Sequence, residues 1–447
     1  MPRKKFYGPQ TSKAINNFPI SGWNMPKDFI CALAMIKEHA AHVNGELKQI
    51  PRSQAIKIAK AASMIKSGKH MDQFPIDIFQ TGSGTSTNMN INEVIAGLVN
   101  EDGRGSRGDR SAEVHPNDHV NRCQSSNDVI PTAMQIACAL KVRDELVPAL
   151  EHLTSALKKK AKEFHSIIKT GRTHHMDAVP VRLGDEFASY AILIQSALDR
   201  VKDASKLLNV LPLGGTAAGT GLNAHPRFAK LVIARLAKET KLPLEEAHNH
   251  IAAQSFPFAS QALSSSLREV AVVLNKIAND IRLMASGPVA GLGELILPLL
   301  QPGSSIMPGK VNPVIPESVI QVCADVIGSD VTIGICVSQG SVFELNTCMP
   351  LISQRLLTSI RLLANVSNVF ADKCISGIKA NKKVIEDRIA RNSMLVTALA
   401  PKIGYDKATE IAKEAMRTGE TIIAVAAKRT SINKAELKKI LNANNMT

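Results

Sequence analysis

The sequence predicts a mainly all-α protein, a long-helix bundle flanked by small N-terminal and C-terminal helical domains. Three observations carry this expectation. Apolar residues recur at helical spacing over long stretches. Leu263, Leu267, Val270, Leu274, Ile277, Ile281 and Met284 step by 4-3-4-3-4-3, and Phe187, Tyr190, Ile194, Ala197, Val201, Ala204 and Leu208 by 3-4-3-4-3-4. Such seams need helices of roughly 20–25 residues, over 30 Å long, and helices of that length pack side by side. Hydrophobic residues make up 45% of the chain but aromatics only 4%, so the core is aliphatic. Finally, glycine, proline and hydroxyl residues collect in short clusters between the periodic stretches.

The boundaries follow from these patterns: an N-terminal domain at 1–117, the central bundle at 118–370, and a C-terminal helical domain at 371–447. In the first, Tyr7-Gly8-Pro9-Gln10-Thr11 reads as a turn, and helices are expected at 26–44 and 53–67. The run Gln80-Thr81-Gly82-Ser83-Gly84-Thr85-Ser86-Thr87-Asn88-Met89-Asn90 leads into a helical pattern at Ile91–Leu98. A Gly/Ser/Thr loop before a helix offers N–H groups and hydroxyls to an anion, and serves equally as an N-cap. No Gly-Lys-Ser/Thr follows, so it is not a nucleotide P-loop. Residues 101–110 read as an exposed loop. In the bundle, Leu146, Leu150, Leu153 and Leu157 form a shorter seam with Pro148 kinking its start, and 351–371 reads as helix. The tail, including Ile403-Gly404-Tyr405-Asp406-Lys407, carries no residues that point to chemistry.

Composition excludes several function classes. The 447 residues contain no uninterrupted apolar run of the ~18 needed for a membrane span, and the basic start lacks a following apolar stretch of the secretory kind. Seven cysteines, at 31, 123, 138, 323, 336, 348 and 374, are scattered without a Cys-x-x-Cys. They read as reduced thiols of a cytoplasmic protein, with no disulfide frame or zinc site. The net charge of +15 is spread along the chain, its densest run being Lys158-Lys159-Lys160-Ala161-Lys162 on a solvated helix end. No nucleic-acid-binding motif accompanies it, and the excess suits the steering of anionic substrates.

Four polar clusters lie between the long helices: His115–Asp128, Gly171–Ala178, Leu213–Asn223, and the loop Gly303-Ser304-Ser305-Ile306-Met307-Pro308-Gly309-Lys310-Val311-Asn312-Pro313. The last cannot continue a helix, and Ile306 and Met307 suit a flap that excludes water. Together the clusters supply hydroxyls, amides, histidine, lysine and arginine. Hydroxyls with Lys310 and Asn312 suit a carboxylate, and a histidine suits proton transfer. The chemistry this fits is proton abstraction beside a carboxylate, with the developing charge held by preorganised donors. His174 and His175 are adjacent and no converging ligands accompany them, so neither a metal nor any other cofactor is expected.

The loop at 303–313 resembles the signature of the fumarase/aspartase superfamily, and the resemblance runs from Tyr7 to about residue 430. Thr81-Gly82-Ser83-Gly84-Thr85, Thr173-His174 and Pro308-Gly309-Lys310 are similar to class II fumarases, whereas aspartases tend to have Gly-Gly-Ala-Gly-Thr, Thr-Gln and Pro-Ala-Lys. Val311-Asn312-Pro313-Val314-Ile315-Pro316-Glu317 is more similar to aspartase. His175-Met176 stands where fumarases commonly have Leu-Gln, and Ala112-Glu113 where they often carry a basic residue. The resemblance implies a cofactor-free hydratase of (S)-malate and fumarate, a homotetramer with active sites shared between chains. It implies Ser304 as the base at C3, and His174 with Glu317 on the side that handles water. Ser83, Gly84, Thr85, Ser125, Ser126, Asn127, Thr173, Ser305, Lys310, Val311 and Asn312 would bind the dicarboxylate. His115, Pro116, Asn117 and Asp118 would line a peripheral site. An aspartate ammonia-lyase and a catalytically dead structural protein are the alternatives.

Overall fold

The computed structural model describes residues 4–102 and 113–447. Most of the expected loop at 101–110, together with Ala112, lies outside the described residues. The chain opens with α1 (Pro9–Asn17), α2 (Lys27–Glu46), α3 (Arg52–Lys66) and α4 (Thr85–Asp102). Next come α5 (Ser126–Lys141) and α6 (Val147–Glu163), joined by a π-helical turn at Val142–Leu146. That turn ends two residues before Pro148, which can donate no N–H to the helical ladder, and a π-turn is a common way for a continuous helix to absorb such a break. A hairpin of β1 (Ile168–Thr173) and β2 (Met176–Arg182) leads into α7 (Leu183–Lys206), α8 (Phe228–Thr240), α9 (His250–Ser255) and α10 (Phe258–Met284). The long helices α11 (Val314–Gly340) and α12 (Met349–Lys373) follow. The tail is α13 (Lys382–Arg391), α14 (Ala400–Ile403), α15 (Tyr405–Thr418), α16 (Ile422–Arg429) and α17 (Lys434–Ile440).

The periodic seams are the core. Leu263, Leu267, Val270, Leu274, Ile277 and Ile281 are at most 1% exposed and Met284 5%. Phe187, Ile194, Val201 and Leu208 are fully buried, as are Leu146, Leu150, Leu153 and Leu157, while Ala204 is half-buried. At ~25 cal/mol per Å² of apolar surface removed from water, stripes of this length dominate the stability of the long helices.

Contacts divide the chain into two compact units. The first comprises Met1–Pro148, Leu198–Ala271 and Cys323–Ala364. Within it α2 packs on α3, α5 and α8, and α4 packs on α1, α3 and α5. The second comprises Ala149–Ala197, Val272–Val322 and Asn365–Thr447. Within it the hairpin packs on α13, and α15, α16 and α17 close a small core of Leu399, Ile411, Val425 and Leu437. All seven cysteines are free thiols, Cys31 and Cys348 half-buried and the others buried. Among the described residues one helix, α11, is long and apolar enough to cross a membrane, with a mean hydropathy of 1.6 over its best window. The sequence reading had not singled it out, because Glu317, Asp325 and Asp330 interrupt its apolar residues.

The hairpin is the element that the sequence reading did not anticipate. Its strands pair antiparallel with a bulge between Thr170 and Arg172, and Thr173 faces Met176 across a two-residue turn. Such turns are signalled by Asn-Gly or Asp-Gly, because both central residues take positive φ. Here the pair is His174 and His175, at φ 54° and 61°.

Candidate active site

In the first unit, two helix N-termini come together. The loop before α4 turns at Gly84, whose N–H donates to the Thr81 carbonyl at 2.7 Å and whose φ is +75°. The Gln80 side-chain oxygen accepts from the Thr87 N–H and hydroxyl at 3.0 and 2.7 Å. The Ser83 and Thr85 hydroxyls share a hydrogen bond of 2.9 Å. At the start of α5, Ser125 and Asp128 form a capping box. Asn88 on α4 donates to the Ser126 hydroxyl at 3.0 Å, so Ser83, Gly84, Thr85, Ser125, Ser126 and Asn127 belong to one cluster. The Asn127 amide donates to the Ala217 carbonyl at 2.7 Å, which adds the glycine-rich 213–223 loop. Helix N-termini with aligned N–H groups and hydroxyls are a ready anion site.

Pro116, Asn117 and Asp118 sit on a π-helical turn, Pro116–Val120, capped at its start by His115. His115 Nδ1 accepts from the Asp118 N–H at 3.2 Å, and its backbone N–H donates to His119 Nδ1 at 2.8 Å. The His115 and Asp118 side chains are 54% and 78% exposed, so they remain open to solvent.

In the second unit, the hairpin turn presents Thr173 and His174 exposed at its tip. Two consecutive non-glycine residues in the left-handed region cost about 1–2 kcal/mol each and persist only where the surroundings impose them. Polar contacts with other segments hold the strands on either side of this turn. Arg172 makes a bidentate pair with Glu294, Nη1 to Oε2 at 3.1 Å with Nη2 on Oε1. The buried Lys169 ammonium lies 3.2 Å from Glu294 and 2.9 Å from Glu186. From the tail, Asn392 donates to the Ala178 carbonyl at 2.8 Å.

The loop at 303–313 is closed on itself. The Gly303 N–H donates to the Lys310 carbonyl at 2.8 Å, and the Asn312 amide to the Gly303 carbonyl at 2.7 Å. Inside the ring, the Ser304 hydroxyl oxygen accepts from the N–H groups of Ile306 and Met307 at 3.2 and 3.0 Å. Ile306 is 84% exposed at the tip. Lys310, Val311 and Asn312 line a cavity of about 730 Å³ with His175, Asp280 and Arg282. His175 and Arg282 were not among the residues expected here. The resemblance of Thr173-His174 to class II fumarases points to His174 alone, and Arg282 is the basic residue of α10's last turn, beside the seam.

Glu317 is in the first turn of α11. Among the described residues, no hydrogen bond or ion pair joins it to His174 within one chain. Nor does any cluster of three or more His, Cys, Asp or Glu suited to a metal ion occur among them.

Comparison with known proteins adds the family. Residues 1–328 match the family model described as Lyase, and residues 395–447 the one described as Fumarase C C-terminus. The chain is 49% identical to the fumarate hydratase class II of Methylorubrum extorquens, over 100% of this chain and 94% of that one. It is 46% identical to fumarate hydratase class II 2 of Pseudomonas aeruginosa, over 100% and 96%. The crystal structure of class II fumarase from Schistosoma mansoni superposes with a TM-score of 0.96 at 38% identity, covering 100% of this chain and 96% of that one. The fumarate lyase:delta crystallin from Brucella melitensis, bound to cobalt, superposes with a TM-score of 0.94 at 42% identity, with the same coverage. The chain belongs to the class II fumarases of the fumarase/aspartase superfamily of lyases.

Proposed function

We propose that, in this class II fumarate hydratase, the residues of both units form one site when copies of the chain assemble as a homotetramer, and that Ser304 removes the C3 proton of (S)-malate. The reaction gives fumarate and water. The observation that supports this most is the setting of Ser304. A free serine is a very weak base, and two backbone N–H groups aimed at its oxygen stabilise the alkoxide it must become. Lys310, on the same loop, adds positive charge.

As the proton leaves, negative charge builds on the adjacent carboxylate, giving an aci-carboxylate. Lys310, Val311, Asn312 and Ser305 would hold it on one side. Ser83, Gly84, Thr85, Ser125, Ser126, Asn127 and Thr173 would hold the substrate on the other, with the N-termini of α4 and α5 pointing at anionic groups. His174, paired with Glu317 across chains, would give the leaving hydroxyl its proton. The exposed His115–Asp118 turn would act as a peripheral carboxylate site. No metal or other cofactor is assigned a role.

The test is fumarate absorbance with (S)-malate and L-aspartate in separate cuvettes, followed by Ser304→Ala and His174→Asn. Fumarate is expected from malate alone. A base contributes roughly 10²–10⁴-fold to rate, so Ser304→Ala should lose that much kcat with its assembly state unchanged, and His174→Asn less. Wild-type turnover in Ser304→Ala removes it as the base. Fumarate from aspartate alone would favour the aspartase-like segment Val314–Glu317 as the guide to substrate, and silence in both cuvettes a structural protein.

A further inference from the structure

Behind the Ser125–Asn127 turn lies a pair of opposite charges, Asp128 and Lys37, both fully buried. Neither belongs to the substrate-binding set, and neither is needed to complete a hydrophobic core. Their hydrogen bonds all lead to that set. Asp128 Oδ1 accepts from the Ser125 N–H at 2.9 Å, and Oδ2 from the N–H groups of Gly214 and Thr216 at 3.1 and 3.0 Å. One carboxylate therefore ties the N-terminus of α5 to a loop almost ninety residues further along the chain. The loop answers through its Ala217 carbonyl, which accepts from Asn127 at 2.7 Å.

Lys37 works from the other side. Its ammonium donates to Asn121 Oδ1 at 3.0 Å. An ammonium has donors only, so Asn121 must present its oxygen there and its NH₂ group to the Gln124 carbonyl, 3.1 Å away. That oxygen also accepts from Asn88 Nδ2 at 3.1 Å, and the same Asn88 Nδ2 donates to the Ser126 hydroxyl at 3.0 Å. The direction of every bond in this series follows from its two ends, the Lys37 donor on Asn121 Oδ1 and the Gln124 carbonyl, which can only accept, on Asn121 Nδ2. The outcome at its end is chemical: Ser126 Oγ is engaged as an acceptor, which leaves its hydrogen for an incoming acceptor. Ser125 Oγ likewise accepts, from the Asn127 N–H at 3.2 Å, and keeps its hydrogen.

We propose that Asp128 and Lys37 are positioning residues of the hydratase site: they fix the Ser125–Asn127 turn against the 214–217 loop and set both serine hydroxyls to donate toward a substrate carboxylate. The 213–223 loop then belongs to the substrate site as its backing wall. This rests on the reading that Ser125, Ser126 and Asn127 bind the dicarboxylate.

The experiment uses the full-length assembled enzyme and compares four variants with wild type: Ser126→Ala, Asn88→Ala, Asp128→Asn, and the charge-neutral double Lys37→Met with Asp128→Asn. Steady-state kinetics with (S)-malate are read beside calorimetric binding of succinate, a dicarboxylate that cannot react, and unfolding midpoints. Loss of one oriented donor should raise KM and the succinate Kd roughly tenfold in Asn88→Ala, and roughly ten- to a hundredfold in the two Asp128 variants. In Asn88→Ala the unfolding midpoint should stay near wild type. A lower midpoint with unchanged KM and Kd would make these residues structural only and overturn the proposal. Where a variant of the buried pair does not assemble, Asn88→Ala decides alone, since it removes no charge. Ser126→Ala separates the two levels: a raised KM there with normal values in the others refutes the positioning role and leaves the substrate-site reading standing. An unchanged KM in Ser126→Ala refutes that reading and the proposal with it.

Discussion

Replacing Gly82 with alanine puts the 82–85 loop to a strict test. A Cβ at this position would lie 1.9 Å from the Thr347 carbonyl oxygen and 2.6 Å from its carbon. Both are backbone atoms, so no side-chain rotation relieves the overlap, and real Cβ contacts essentially never fall below 3.0 Å. The loop must therefore open by more than about 1 Å, because protein interiors are packed too tightly to absorb such an overlap. The opening pulls on the bond from the Met349 N–H to the Gly82 carbonyl, 3.0 Å long. Overpacking costs ~1–3 kcal/mol and a lost backbone hydrogen bond ~1 kcal/mol, so the variant should be destabilised by about 2–4 kcal/mol. Ser83 and Thr85 move with the loop, and a 1 Å misplacement of binding groups costs on the order of 10²-fold in rate. Urea unfolding and kcat/KM with (S)-malate measure the two effects. A Gly82→Ala enzyme with wild-type kcat/KM would show that the position of this loop does not matter for turnover, and the reasoning would fail.

Two further perturbations probe the buried charges. Glu294→Gln removes the charge that faces Arg172 and one of the two carboxylates beside Lys169, at a position 1% exposed. Breaking a buried pair costs about 3–5 kcal/mol, and Arg172 stands next to Thr173 and His174, so both the unfolding midpoint and kcat should fall; an unchanged midpoint contradicts this. Burial pulls the Lys37 ammonium from its ordinary 10.5 down to about 7, against the raising effect of Asp128. Between those two values the unfolded chain binds a proton that the folded one has released, so this group's contribution to stability rises with pH, by at most about 1.4 kcal/mol per unit. Urea midpoints measured from pH 7 to 9 should show that rise in wild type and not in Lys37→Met; parallel pH profiles would refute it.

Much of the bundle was legible because burial of a helix leaves a periodic trace. The seam from Leu263 to Met284 needed no partner to be recognised, since each residue's spacing from the next already states which face is hidden. The hairpin left no such trace. Its turn is closed by two histidines where sequence preference asks for asparagine and glycine, so no local signal announces it. The site divides in the same way. The Ser304 segment could be read as a loop because its glycines and prolines are local, though its closure into a ring by Gly303, Lys310 and Asn312 could not. The clamp of Asp128 on Gly214 and Thr216 could not, because hydrogen bonds to backbone N–H groups carry no residue preference at their far end. His175 rather than His174 lines the cavity with Lys310, a distinction set by turn geometry that two adjacent identical letters cannot convey.

The central claim is that Ser304 and Ser126 act in one site supplied by different copies of the chain. Co-expression of two separately impaired chains, Ser304→Ala with its kcat lost and Ser126→Ala with its KM raised, tests it most directly. If a site takes these residues from different chains, random assembly leaves both intact in roughly a quarter of the sites. The mixed enzyme should then show a component of about that fraction of wild-type kcat with a wild-type KM, while Ser304→Ala alone stays nearly inactive and Ser126→Ala alone shows only its raised KM. If both residues of a site came from the same chain, no mixture could restore it. The absence of any component with a wild-type KM would contradict the account.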